Sequence, residues 1–251
     1  MASFLPILTF HDISKRTSVI SIPPGVFQCN IAKLYESGYK SLNLMEAVNF
    51  LRRGVQFPDN AFVITFDDGY QSVYEEAFPV LKCYNMSATV FLAVGEKEAV
   101  KSRVQLPSLD ERTMMSWDEI REMQQMGITF GAHTCTHQNL THLPFERVKA
   151  EVCDSKAIIE DALGTTVVCF AYPYGHYNHQ VHKIVQQNFD CACSDKLGFI
   201  TKHSDPYALK RVDAYYLRTD RLFNIMLSRL FPLYIRARSI PRRIRRAFQF
   251  R

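Results

Sequence analysis

Ala61-Phe62-Val63-Ile64-Thr65-Phe66-Asp67-Asp68-Gly69-Tyr70 is the stretch of this 251-residue chain that decides its fold. An apolar run of strand length leads into two adjacent carboxylates and a glycine. Carboxylates do not belong at the end of a buried strand unless a metal or a reaction needs them there. A second short apolar run ends in Gly131-Ala132-His133-Thr134-Cys135-Thr136-His137. One Asp and two His make a three-ligand set for an open, catalytic metal site, which leaves the other Asp to handle a proton.

Working outward, short apolar runs alternate with amphipathic stretches. The pattern predicts strands at 5–10, 39–42, 61–66, 88–93, 127–131, 167–171, 189–193 and 208–212. It predicts helices at 27–37, 44–53, 72–84, 116–126, 144–163 and 178–187. Ser116 and Asn178 are expected N-caps, with Glu119 at capping-box spacing from Ser116. Gly38, Gly54, Gly127 and Gly164 sit just past helical patterns. Repeated βα units imply parallel strands with right-handed crossovers. The fold class expected is α/β, a distorted (β/α) barrel of about seven parallel strands. Chemistry on such a barrel collects at the C-terminal strand ends. His11-Asp12, Asp67-Asp68, His133/His137 and Tyr172-Pro173-Tyr174-Gly175 all fall there, while residues 95–113 read as a loop over one barrel end.

Charge is segregated along the chain. Residues 218–251 hold ten arginines and one acid, Asp220, for about +9, so residues 1–217 sum to about −4 against a total of +5. Two parts are therefore expected: a catalytic domain over 1–217 and a basic amphipathic tail over 218–251. Apolar residues interleave with the arginines from Leu222 to Phe250. Such a segment suits an anionic membrane surface better than nucleic acid, although a solvated, unstructured arm is the bland alternative. Seven scattered cysteines suit free thiols in a reducing compartment. The N-terminus reads as a first strand, and no run is long enough to span a membrane. A cytoplasmic protein, with peripheral contact at the inner membrane face as an option, is the expectation. His176, His179 and His182 recur at helical spacing but read as a solvated helix start, and Cys191 and Cys193 read as core.

The sequence resembles the polysaccharide deacetylase family of metal-dependent carbohydrate esterases and amidases, from about residue 5 to 213. Thr65-Phe66-Asp67-Asp68-Gly69-Tyr70, His133-Thr134-Cys135-Thr136-His137 and Ala171-Tyr172-Pro173-Tyr174-Gly175 match its three successive motifs. Thr9-Phe10-His11-Asp12 also looks like a subgroup acting on exopolysaccharides and lipid-linked sugars. The resemblance implies a divalent metal, most often zinc, on Asp68, His133 and His137. It implies Asp67 as general base and the backbone N–H of Tyr174 as oxyanion donor. The substrate implied is an N-acetyl or N-formyl amino sugar in a glycan or lipid-linked precursor. Two departures stand out. The family's third-motif Arg, which tethers the catalytic Asp, is Ala171 here, and its late acid His is Arg211. Arginine stays protonated and is a poor acid. Arg211 is therefore expected to replace the tether of Asp67, and His11 to supply the acid, ahead of His142 and His203. The other readings are a degenerate glycan-binding member and an O-acetyl esterase on the same metal site.

Overall fold

The computed structural model describes residues 2–95 and 105–249, with only the backbone described over 241–249. Eight strands form in the order β1 (Ile7–Phe10), β2 (Lys40–Ser41), β3 (Ala61–Phe66), β4 (Thr89–Leu92), β5 (Thr129–Ala132), β6 (Cys169–Ala171), β7 (Cys191–Leu197) and β8 (Leu209–Asp213). Every strand pairing is parallel. The order β1-β8-β7-β6-β5-β4-β3 closes because β1 also pairs with β3, giving a barrel of seven strands. The two-residue β2 lies outside that ring. It pairs with Ala61 and Phe62 of β3, and β1 takes Val63 to Phe66.

Helices follow the strands as α1 (Pro24–Glu36), α2 (Leu44–Arg52), α3 (Phe78–Cys83), α4 (Trp117–Gln125), α5 (Phe145–Leu163) and α6 (His179–Asn188). Ser116 and Glu119 form the expected capping box, and Asn178 caps α6 through the Val181 N–H. The continuous helix expected over 72–84 opens instead as a π-helical turn, Val73–Ala77. Pro79 explains this, because its missing N–H leaves a bond of the α-ladder unmade. The chain widens so that the Phe78 N–H bonds to the Val73 carbonyl. Of the expected loop over 95–113, residues 96–104 lie outside the described residues; the rest is tied to the barrel mouth by the Leu106 N–H to the Met115 carbonyl.

Two apolar clusters build the core. The larger lies between barrel and helices. The smaller fills the barrel interior with Ile7, Val63, Phe91, Cys169, Cys191 and Leu209, and α2 closes its base. Phe91 has room because its register partner is Gly131; a Cβ there would lie 2.6 Å from the ring. With a two-residue period, the interior column rises from Ile7, Val63 and Leu209 to Thr9, Thr65 and Arg211. The inside of the barrel thus turns polar toward its C-terminal end.

The C-terminal segment departs from a separate arm. It forms α7 (Asp220–Met226) and α8 (Phe231–Gln249). Phe223, Met226, Phe231 and Ile235 are buried in the same core cluster as the barrel. The expected boundary at 217/218 therefore does not separate two packed units: apolar residues of the basic segment cover barrel surface. Lys33 of α1 also pairs with Asp220. Among the described residues no helix is long and apolar enough to cross a membrane.

Candidate active site

Strand β3 ends at Phe66, and the Asp67 N–H bonds back to the Phe10 carbonyl at 3.0 Å, so the carboxylate pair starts at the barrel rim. Asp68 takes a left-handed backbone (φ 76°). His133 follows β5, held by its N–H to the Leu92 carbonyl at 2.9 Å. The turn between the histidines is fixed by the His137 N–H to Thr134 Oγ1 at 3.0 Å. Thr134, His137 and Tyr174 are also left-handed, at φ 70°, 55° and 56°. Non-glycine residues in that region cost about 1–3 kcal/mol each and persist where the surroundings over-determine them.

Asp68 Oδ1 lies 3.4 Å from His133 Nε2 and 3.3 Å from His137 Nε2, with 3.2 Å between the two nitrogens. His133 Nδ1–H donates to the Ala171 carbonyl at 2.7 Å, which points the Nε2 lone pair at Asp68. Asp68 Oδ1 is buried and has no hydrogen-bond partner among the described residues. Such an atom is costly to leave unpaired, and a cation among these three residues would satisfy it. The donor atoms all lie within 4.8 Å of one another, so Asp68, His133 and His137 could hold a metal ion. Burial alone would raise the Asp68 carboxyl, but the imidazoles of His133, His11 and His137 hold it well below the usual carboxylate range. Burial and the neighbouring His133 push the His137 imidazole down to about 4, so it is a neutral, ligating base at pH 7.

Asp67 is gripped from the other side. Arg211 Nη1 and Nη2 donate to its two oxygens at 2.7 and 2.6 Å. Arg211 Nε donates to the Ser194 carbonyl at 3.0 Å, and the guanidinium lies over the Phe91 ring at 5.9 Å. Burial favours a protonated Asp67, yet the charge and hydrogen bonds of Arg211 outweigh it and keep the carboxylate ionised. His11 Nε2 stands 3.7 Å from Asp67 Oδ2. His142 lies in a short turn, Leu140–His142, and His203 lines a different groove, so neither reaches the cleft. The Tyr174 ring packs on His137 at 4.9 Å and is 57% exposed at the mouth.

These groups share one cleft of about 290 Å³, with Asp110, Asp195 and Asp213 on its walls. The geometry also brings in Glu151 of α5, which sequence reasoning did not single out. Its buried carboxylate accepts from the Cys135 and Thr136 N–H groups at 2.9 and 2.8 Å and from Thr136 Oγ1 at 2.6 Å. A signal existed: Glu151 shares the buried face of α5 with Val148, Val152 and Ser155. An acid inside an apolar stripe needs a partner, and here the partner is the backbone of the His133–His137 turn.

The chain is similar to known polysaccharide deacetylases. A family model described as "Polysaccharide deacetylase" matches residues 54–188. YxkH of Bacillus subtilis (strain 168), described as a polysaccharide deacetylase, is 30% identical over 209 residues, spanning 83% of this chain and 70% of the relative. The poly-beta-1,6-N-acetyl-D-glucosamine N-deacetylase of Staphylococcus aureus (strain MRSA252) is 26% identical over 237 residues, 88% of this chain and 75% of its own. In fold, the chain is similar to the Streptococcus pyogenes deacetylase PplD in complex with acetate (TM-score 0.75, 24% identity, 85% of this chain and 93% of that one). It is also similar to IcaB from Ammonifex degensii (TM-score 0.74, 23% identity, 90% and 97%).

Proposed function

The chain belongs to the polysaccharide deacetylase family, and from that premise we propose that it hydrolyses the N-acetyl amide of an amino sugar within a glycan, with a divalent metal, zinc, on Asp68, His133 and His137. The observation that carries this reading is the division of labour between the two carboxylates. Asp68 Oδ1 is buried, faced by two imidazole nitrogens and without a hydrogen bond among the described residues, whereas Asp67 is held ionised by Arg211 at 2.6–2.7 Å. One is arranged for a cation and the other for a proton.

A divalent ion at this site supplies Lewis acidity and brings the pKa of a held water down to about 7. Asp67 takes the proton of the attacking water as the oxygen adds to the acetyl carbon. The Tyr174 N–H donates to the developing oxyanion, an interaction typically worth about 10²–10³-fold in rate. The C–N bond then breaks, and His11, beside Asp67, protonates the departing amine, releasing acetate and a free amino sugar. Arg211 keeps Asp67 oriented through both oxygens, the task left open by Ala171. That contact argues against a degenerate, binding-only member, because the tethered base is present by another route.

The relatives point to a β-1,6-linked N-acetylglucosamine polymer as the first substrate to test. A lipid-linked precursor would have to bring its sugar to the same end of the barrel. The test is acetate release from oligomers of that polymer, with N-formylated and O-acetylated sugars alongside. The expected result is acetate from the N-acetylated oligomer, abolished by a chelator and restored by zinc. Release from the O-acetyl sugar alone would replace the amidase reading with an esterase. No release from any of them by the metal-loaded protein would leave only a binding role.

A further inference from the structure

Helix α8 carries apolar residues on the wrong side for a helix that only packs on its own barrel. Phe231 and Ile235 point into the core. On the outward side, Leu233 and Ile240 are 66% and 56% exposed, with the exposed Ala237 between them, and Leu230 just before the helix is 62% exposed. Residues 233, 237 and 240 fall at i, i+4, i+7, so they form one solvent-facing stripe. The helix sequence FPLYIRARSIPRRIRRAFQ has arginine as its only charged residue type.

Beside this stripe runs a groove of about 530 Å³ between α8 and the base of the barrel. Its walls include Phe4, Phe57 and Ile235, and its cations are Lys202, Lys210 and Arg236; no carboxylate among the described residues lines it. Phe4 and Phe57 lie a few residues ahead of β1 and β3, so the groove lies at the N-terminal end of the barrel. The cleft with Asp67 and Asp68 lies at the other end of the same strands.

We propose that this face is a docking surface for an anionic phospholipid bilayer. Leu230, Leu233 and Ile240 enter the interface, and Lys202, Lys210 and Arg236 meet lipid phosphates. Charge complementarity selects the partner. An exposed apolar stripe beside a cationic groove is the signature of a helix lying in a lipid interface, and each added cation strengthens attraction to anionic lipid. Docked by this face, the catalytic cleft stays open at the far end of the barrel, where a polymer can reach it. The proposal does not depend on the reaction assigned above, and its test reads no turnover.

The test is flotation of the full chain with vesicles of phosphatidylcholine alone or with about 30% phosphatidylglycerol. Two variants are compared with the parent: Leu233→Ser with Ile240→Ser, and Lys202→Glu with Lys210→Glu and Arg236→Glu. All five positions are solvent-accessible, and thermal melts check that each variant folds. The parent should float with anionic vesicles only, and each variant should bind at least ten-fold more weakly. Salt at about 0.5 M should weaken the parent without abolishing binding, because the apolar contact is not screened. Equal binding to neutral vesicles, or no binding at all, overturns the proposal. So does a serine variant that binds like the parent, which is what a purely cationic patch for nucleic acid would give.

Discussion

Arg211 and Asp67 form a buried ion pair, and the reason it works is positional. On β8 the side chains alternate, so Leu209 and Arg211 face the barrel interior and Lys210 faces out. An arginine at 211 therefore points up the barrel axis, over Phe91, to both Asp67 oxygens. Removing one partner of such a pair strands the other charge, at a cost of about 3–5 kcal/mol. Arg211→Met should lose stability of that order at pH 7 in chemical denaturation. The sign with pH follows from Asp67. In the parent its pKa is depressed, so the pair stabilises the fold above the unfolded carboxylate pKa and is lost in acid. In the variant burial raises the same pKa, Asp67 takes a proton earlier, and the gap between the two proteins should narrow as pH falls. A gap independent of pH would mean that Asp67 is not the charge left unpaired. The pairing was legible in the sequence as an arginine standing where an acid was expected. The position of His11, 3.7 Å from Asp67, was legible only as a strand end.

Elements rather than single residues set the turn from His133 to His137. Strand β5 delivers His133, but the loop to His137 gets its shape from α5, through Glu151 and three hydrogen bonds of 2.6–2.9 Å. Glu151 touches neither imidazole, so it acts by position. Groups that orient metal ligands are typically worth 10–100-fold in metal affinity. Glu151→Gln leaves an amide of the same shape with one accepting oxygen. It should weaken zinc binding by about 10-fold or more in a chelator competition, with Asp67 and Arg211 unaffected. Unaltered affinity would reduce Glu151 to a packing role. All eight strands and the first six helices were legible from apolar periodicity and caps, with ends shifted by a few residues. The π-turn before α3 was not, because the consequence of Pro79 depends on how the backbone around it relaxes.

For the whole molecule, the tail changes meaning once the fold is known. From sequence, residues 218–251 read as a basic segment apart from the catalytic body. In the structure Phe223, Met226, Phe231 and Ile235 are 1–4% exposed against that body. Burying a large apolar side chain is worth about 1.5–3 kcal/mol, so four of them approach the entire stability of a domain, about 5–15 kcal/mol. A chain cut after residue 218 should lose its cooperative thermal transition; an unchanged melt would show that α7 and α8 are dispensable. Sequence could not reveal this, because the same apolar residues suit a barrel surface or a lipid interface. Only their partners tell which are used inward and which, like Leu233, remain outward. The whole architecture serves the split between Asp67 and Asp68, and Asp67→Asn tests that split most directly. With zinc binding measured beside acetate release from an N-acetylglucosamine oligomer, parent and variant alike should bind zinc stoichiometrically, and the variant should lose turnover by at least about 10²-fold. Turnover equal to the parent's would contradict the account, and so would loss of the metal together with activity.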